Sequence, residues 1–232
     1  MYIDWTYIVF IIPPLLFSMW ASARVKSSYH KYSQQYSRRG LTAAQAVQYV
    51  LHSRGLSTVS IQRVSGELTD HFDPRDNVIR LSDSVFDSTS SAAIGVACHE
   101  AGHAIQYAEG YGPLKLRNAI IPVTNLGAKL SGPLIVAGFV MAGFSQSFIF
   151  LAYLGVICFA LSTVFQLITL PVEFDASRRA MAAIDSQSLL SEEEQQGVRS
   201  VLSAAALTYV AALAVSLMQL LRFVVLLNRR RD

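Results

Sequence analysis

The feature that most constrains this chain is an apolar run at positions 148–170 that contains no Asp, Glu, Lys or Arg. A helix needs about 20 apolar residues to cross the hydrocarbon core of a bilayer, and this run is long enough. Further apolar runs lie at 5–23, at about 120–144 and at 204–227. Charged residues make up 15% of the chain, against about 25% in soluble domains. We therefore predict a mostly α-helical membrane protein with about four transmembrane helices.

The four runs divide the chain into five predicted segments. They are an N-terminal transmembrane anchor at 1–23, a polar region at 24–118, a transmembrane hairpin at 119–170, a helical segment at 171–202, and a C-terminal membrane helix with a basic tail at 203–232. No basic residue precedes the first run and no cleavage site follows it. It is therefore predicted to be a retained anchor and not a removed signal peptide.

Basic residues that directly follow the first run favour a cytoplasmic location for the segments 24–118 and 171–202. Four complete crossings would then leave the arginines at 229–231 outside, against the positive-inside tendency. Two explanations stay open. Either the last helix is re-entrant or lies along the surface, or the strong basic bias of the first loop dominates the orientation.

The polar region is predicted to combine helices with short strands. Thr42 and Gln45 form a capping-box pattern at the start of one helix. Residues 59–82 are typical of short strands separated by a turn. A second helix is expected to begin near Ser90 and to end near Gly110. The sequence thus predicts a small α+β region among membrane helices.

That second helix contains the sequence His-Glu-Ala-Gly-His at 99–103. Since His99 and His103 are four residues apart, both imidazoles lie on one helix face and can hold one Zn²⁺ ion. Glu100 is too close to be a comfortable ligand, but it can take a proton from a water that the metal activates. A polar patch on a solvated helix is the alternative, but the surrounding residues are mostly Ala, Gly, Ile and Val. In a buried helix these polar groups need partners, so we predict one catalytic zinc ion.

A third protein ligand is needed, with the fourth position left open for water. No histidine follows His103, so the candidates are acidic, and Glu173 and Asp175 lie two predicted crossings later. An even number of crossings returns the chain to the same side of the membrane. Glu173 is the preferred candidate and Asp175 is the second. The alternative is that Glu173 is an ordinary interfacial carboxylate paired with Arg178 or Arg179.

Five stretches carry a resemblance to a known family. They are Leu68-Thr-Asp-His-Phe-Asp-Pro-Arg75, Val78-Ile-Arg-Leu-Ser82, 96–106, 170–180 and Leu207-Thr-Tyr-Val-Ala-Ala212. The sequence resembles the YugP-type neutral zinc metallopeptidase family of bacterial membrane peptidases. More distantly, it is similar to membrane gluzincins of the HtpX and CAAX prenyl protease type, in which a Glu after a membrane hairpin completes the zinc site.

The resemblance implies that His99, His103 and Glu173 are the zinc ligands and that Glu100 is the general base. It also implies a gluzincin-like catalytic region at 24–118 and a third-ligand segment at 171–202. The HtpX-type enzymes have Asp four residues after the ligand Glu, where this chain has Ser177. The role of supporting the ligands then falls to Asp175 or to no residue. The bacterial inner membrane is the expected location, with the active site on the cytoplasmic face.

Other polar side chains are weaker candidates. His71 could bind the oxyanion or a substrate backbone, but a surface or packed histidine is as good an explanation. Arg178 and Arg179 could stabilise a developing oxyanion, although juxtamembrane basic residues are the simpler interpretation. Cys98 is not expected to be a ligand, because adjacent helix positions diverge by about 100°.

We therefore predict a membrane-bound zinc endopeptidase with a protein or peptide substrate and the lipid bilayer as partners. No basic stripe with interleaved aromatics is present, so no nucleic-acid partner is expected. The main alternative is a non-catalytic membrane adaptor with a structural zinc site, which would have no need of Glu100. A small transporter is disfavoured, since the polar residues cluster outside the spans.

Overall fold

The computed structural model describes residues 5–229, and the predictions for 1–4 and 230–232 lie outside these described residues. The helices are α1 (Trp5–Phe10), α2 (Ile12–Tyr32), α3 (Ala43–Ser53), α4 (Asp83–Phe86), α5 (Ser91–Ala108), α6 (Gly112–Met141), α7 (Ile149–Ser186) and α8 (Glu192–Asn228), with a short 3-10 turn at Gln146–Phe148. The strands are β1 (Ser60–Val64), β2 (His71–Asp73) and β3 (Val78–Ser82). The predicted mostly α-helical architecture with a small sheet is confirmed.

Four helical stretches are long and apolar enough to cross a membrane, as predicted. They are Trp5–Tyr32, Gly112–Met141, Gln146–Ser186 and Glu192–Asn228. The first is interrupted at Ile11, and Pro13 and Pro14 fall in the first turn of α2, where a missing N–H costs little.

The sequence-based division at Leu170 does not correspond to a helix end. Helix α7 continues through Pro171 and reaches Ser186. A buried stripe formed by Val172, Ala176 and Ala180, all fully inaccessible, holds the helix together beyond the proline. The membrane run and the segment with the third candidate ligand therefore belong to one continuous helix.

The described residues form two compact units, and the first comprises 5–20, 116–170 and 208–229. Its helices approach closely, since a Cβ on Gly138 would lie 2.2 Å from the backbone nitrogen of Ala152. Arg222 is buried. Its guanidinium donates to Thr6 Oγ1 at 3.2 Å and lies 3.8 Å from the ring centroid of Tyr7. That arginine ties the last helix to the first.

The second unit comprises 21–115 and 171–207. Strand β3 is central in the sheet, parallel to β1 and antiparallel to β2, in the order β1-β3-β2. Helices α3, α4 and α5 pack with this sheet around one hydrophobic core. Thr42 and Gln45 make the predicted reciprocal capping box, and Ser90 caps the start of α5. Strand β2 is an edge strand and lies beside α5.

Candidate metal centre

Helix α5 supplies three of the predicted site residues. Most of its side chains are fully buried, whereas His99, Glu100 and His103 are only partly buried. The two imidazole centroids are 4.7 Å apart, with the rings nearly perpendicular. Spacing of one helical turn therefore places both rings on one face, as the sequence predicts.

Helix α7 brings Glu173 to the same place. Its side chain is 3% exposed, and its Oε2 lies 3.2 Å from His99 Nε2 and 3.5 Å from His103 Nε2. Tetrahedral zinc with bonds of about 2.0–2.1 Å separates its ligand atoms by about 3.3 Å. Among the described residues, His99, His103 and Glu173 are the group whose ligand atoms cluster in this way, all within 4.8 Å of one another. Two imidazole nitrogens and one carboxylate oxygen fit a zinc ion.

The electrostatics of the cluster favour a positive charge. Burial opposes protonation of His103, but the hydrogen-bonded Glu173 carboxylate and the nearby Glu100 outweigh burial and raise the pKa of His103. The same carboxylates would stabilise a cation held between the rings. By contrast, burial raises the pKa of Cys98 to about 12. Its thiol is therefore neutral in the absence of a metal ion.

The backbones of α5 and α7 lie in direct contact at Gly102. A Cβ on Gly102 would lie 2.3 Å from the carbonyl oxygen of Ala176. No side chain fits in that space, so glycine between the two histidines permits the contact. The same contact places Glu173, one turn before Ala176, over the imidazoles.

Gln106 fixes the orientation of His103, a role that the sequence analysis missed. Its side chain is fully buried, and its Nε2 donates to Val172 O at 2.8 Å and to Asp175 Oδ2 at 2.9 Å. Because both partners only accept, the amide oxygen must face His103 Nδ1, which is 3.0 Å away. Nδ1 therefore carries a proton, and Nε2, which faces Glu173, is the nitrogen left to bind a metal ion. The sequence signal that could have found it is a glutamine three residues after a candidate ligand in an otherwise apolar helix.

Ser177 plays the corresponding part for His99. Its hydroxyl oxygen lies 3.1 Å from His99 Nδ1 and can accept a hydrogen bond from an N–H at that atom. Nε2 of His99 then faces Glu173. Thus a serine stands beside an imidazole where the HtpX-type pattern has an aspartate.

Asp175 lies behind the ligand cluster and not in it. Besides Gln106, it accepts hydrogen bonds from Arg178 and from Arg179, the latter at 2.5 Å. Arg179 also pairs with Glu109. The structure thus brings Asp175, Arg178 and Arg179 together as one network, in which Asp175 supports His103 through Gln106. Glu173 is paired with His99 and His103, whereas the two arginines are paired with Asp175.

Glu100 faces the edge strand of the sheet. The backbone N–H of Phe72 donates to Glu100 Oε2 at 2.9 Å. His71 is exposed on the same strand, and its Nδ1 lies 2.8 Å from Thr69 O. The predicted base and the predicted substrate-binding histidine are therefore both associated with β2.

Replacing Gln106 with leucine is expected to weaken zinc binding by about 10–100-fold, the usual effect of removing a group that orients a ligand. Leucine keeps the volume but leaves His103 Nδ1 without an acceptor. Competition with a chromophoric chelator on the purified full chain measures the change. Gln48→Leu, on the exposed face of α3, is the matched control. Unchanged affinity in Gln106→Leu would rule out the orienting role.

Comparison with known proteins gives two matches. A family model described as "Putative neutral zinc metallopeptidase" matches residues 7–228. A relative from Bacillus subtilis (strain 168), described as "Putative membrane protease YugP", is 45% identical over 226 residues, which cover 97% of this chain and 98% of the relative. No solved structure matches the chain.

Proposed function

This chain belongs to the family of neutral zinc metallopeptidases, and we propose that it is a membrane-bound zinc endopeptidase. The observation that carries the proposal is the convergence of His99, His103 and Glu173, with Glu100 on the same helix. A structural zinc site needs only ligands. Here the carboxylate of Glu100 lies near the cluster without being part of it, which favours a catalytic site.

In the proposed mechanism, His99, His103 and Glu173 hold a single zinc ion. When bound, zinc would polarise the scissile carbonyl and increase the acidity of the attacking water. Glu100 takes the proton of that water and then transfers it to the leaving amine. One oxygen of Glu100 accepts the Phe72 N–H, which orients the carboxylate and leaves its other oxygen for the proton.

Strand β2 provides a means of aligning an extended substrate. The N–H and C=O groups of one strand residue point to the same side of the strand. Since the Phe72 N–H is directed at Glu100, the Phe72 carbonyl faces that side too and can accept from a substrate N–H. Substrate addition along this edge would deliver main-chain carbonyls next to Glu100. His71, one residue earlier, would contact the substrate backbone.

The proposed substrates are membrane-near or cytosol-exposed segments of proteins. Glu173 follows the end of an apolar run at Leu170 by only three residues, so the cluster lies close in sequence to the membrane boundary. The basic residues after the first span favour the cytoplasmic face of a bacterial inner membrane for this region.

Metal removal tests the proposal. The purified full chain should contain one zinc ion and cleave peptides from a fluorogenic library. Cleavage should stop when 1,10-phenanthroline removes the metal and return when zinc is added back. A chain that binds zinc, loses stability without it and cleaves no peptide would instead support the membrane adaptor with a structural zinc site.

A further inference from the structure

A cavity that the proposed reaction does not use lies in the second unit. It has a volume of about 440 Å³ and is bounded by segments of α2, α7 and α8. Three arginines line it, one from each helix: Arg24, Arg178 and Arg199. Much of the remaining wall is apolar, with Phe174 and Met181 among the lining residues. The cavity therefore combines cationic groups with a hydrophobic surface.

The charged side chains that line this cavity are all positive. No Asp or Glu is among its lining residues. Arg178 is paired with Asp175, which lies outside the lining. Arg24 and Arg199 are exposed and line the cavity. Each guanidinium carries five N–H donors, so an anion that enters the cavity can accept from both. An occupant with an anionic group and an apolar body would match both parts of the wall.

The segments that form the cavity all adjoin apolar runs of the chain. Arg24 directly follows the first run, which ends at Ala23. Phe174 lies four residues after the run that ends at Leu170, and Leu207, another lining residue, lies inside the last run. Since each run is a candidate span, these positions place the lining residues at the headgroup level of one membrane face.

We propose that this cavity binds the headgroup of an anionic phospholipid such as phosphatidylglycerol. The phosphate would lie between Arg24 and Arg199, and the glycerol and first acyl carbons would contact Phe174 and Met181. Basic pockets between membrane helices recognise lipid headgroups in this way. Free phosphate would use the arginines but gain nothing from the apolar wall. An acidic peptide side chain would bury less of that wall than a lipid.

The proposed lipid site adjoins the metal cluster through one residue. Ser177 lines the cavity, and its hydroxyl contacts His99 Nδ1 at 3.1 Å. A lipid in the cavity would therefore touch the helix face next to a candidate zinc ligand. Lipid binding is a separate property from peptide hydrolysis, so it can be tested by binding alone.

Native mass spectrometry of the full chain in neutral detergent tests the proposal. Phosphatidylglycerol and phosphatidylcholine with identical acyl chains are offered separately, and the retained lipid is counted. Each arginine near an anionic lipid contributes about fivefold to binding. We therefore expect Arg24→Gln/Arg199→Gln to lose at least about tenfold of the preference for phosphatidylglycerol. Arg54→Gln/Arg75→Gln removes the same charge at exposed positions outside the cavity and should keep the preference.

A second variant addresses the cavity without changing charge. Ser203 lines the cavity and is exposed, so Ser203→Trp should fill the space and also reduce lipid retention. Unchanged preference in both the arginine and the tryptophan variants would overturn the proposal. Displacement of the lipid by millimolar inorganic phosphate, or by an acidic peptide in preference to lipid, would also overturn it, because the true ligand would then be an anion without acyl chains or a substrate segment.

Discussion

Replacing Glu100 with glutamine is expected to lower the rate of peptide cleavage by about 10²–10⁴-fold, the usual contribution of a positioned general base. Glutamine has nearly the same shape, and its amide oxygen can still accept from the Phe72 N–H that Glu100 engages. It cannot take a proton from water at neutral pH. The three candidate ligands are untouched, so zinc should stay bound.

The measurement compares initial rates of peptide cleavage with zinc content in the same preparations. Glu192→Gln is the matched control, because it makes the same change at an exposed position in the first turn of α8 and should cleave at the wild-type rate. If Glu100→Gln retained the wild-type rate with zinc present, Glu100 would not be the base. If it lost zinc as well, the carboxylate would have a role in metal binding that its position beside the cluster does not suggest.

Local sequence patterns were sufficient to predict helix α5 and the strands of the sheet beside it. The cap at Ser90 and the apolar stretch after it place α5 at Ser91–Ala108, close to its predicted limits. The turn before β3 likewise separates two strands as expected. Both predictions rest on interactions between residues near in sequence, such as caps and alternation, which do not depend on the rest of the fold.

The supporting contacts could not be predicted in the same way, because they depend on how α5 meets α7. Gln106 and Asp175 are far apart in sequence, and nothing local indicates that one amide joins them. The contact between Glu100 and Phe72 depends on where the edge strand passes α5. The continuation of α7 through Pro171 is also a tertiary effect, because buried packing on both sides of the proline outweighs its local cost.

Replacing the candidate third ligand, Glu173, is expected to have the second large effect, a loss of zinc affinity. Glu173→Gln is expected to weaken zinc binding by more than the about 100-fold upper limit for groups that only orient ligands, and cleavage should be lost with the metal. The reason is direct: Glu173 Oε2 lies 3.2 and 3.5 Å from the two Nε2 atoms. A neutral amide in that place neither balances the charge of the ion nor competes as a ligand with water.

Asp175→Asn is the matched control, since it makes the same chemical change two residues away on the same helix. Asp175 contacts Gln106, Arg178 and Arg179, so its effect must pass through Gln106 to His103. We expect a zinc affinity about 10–100-fold below wild type for Asp175→Asn, clearly tighter than for Glu173→Gln, as measured by chelator competition on both chains. Thermal unfolding without zinc checks that each variant is folded. The reverse order, with Asp175→Asn metal-free and Glu173→Gln still binding zinc, would make Asp175 the ligand and Glu173 a carboxylate that only pairs with the imidazoles.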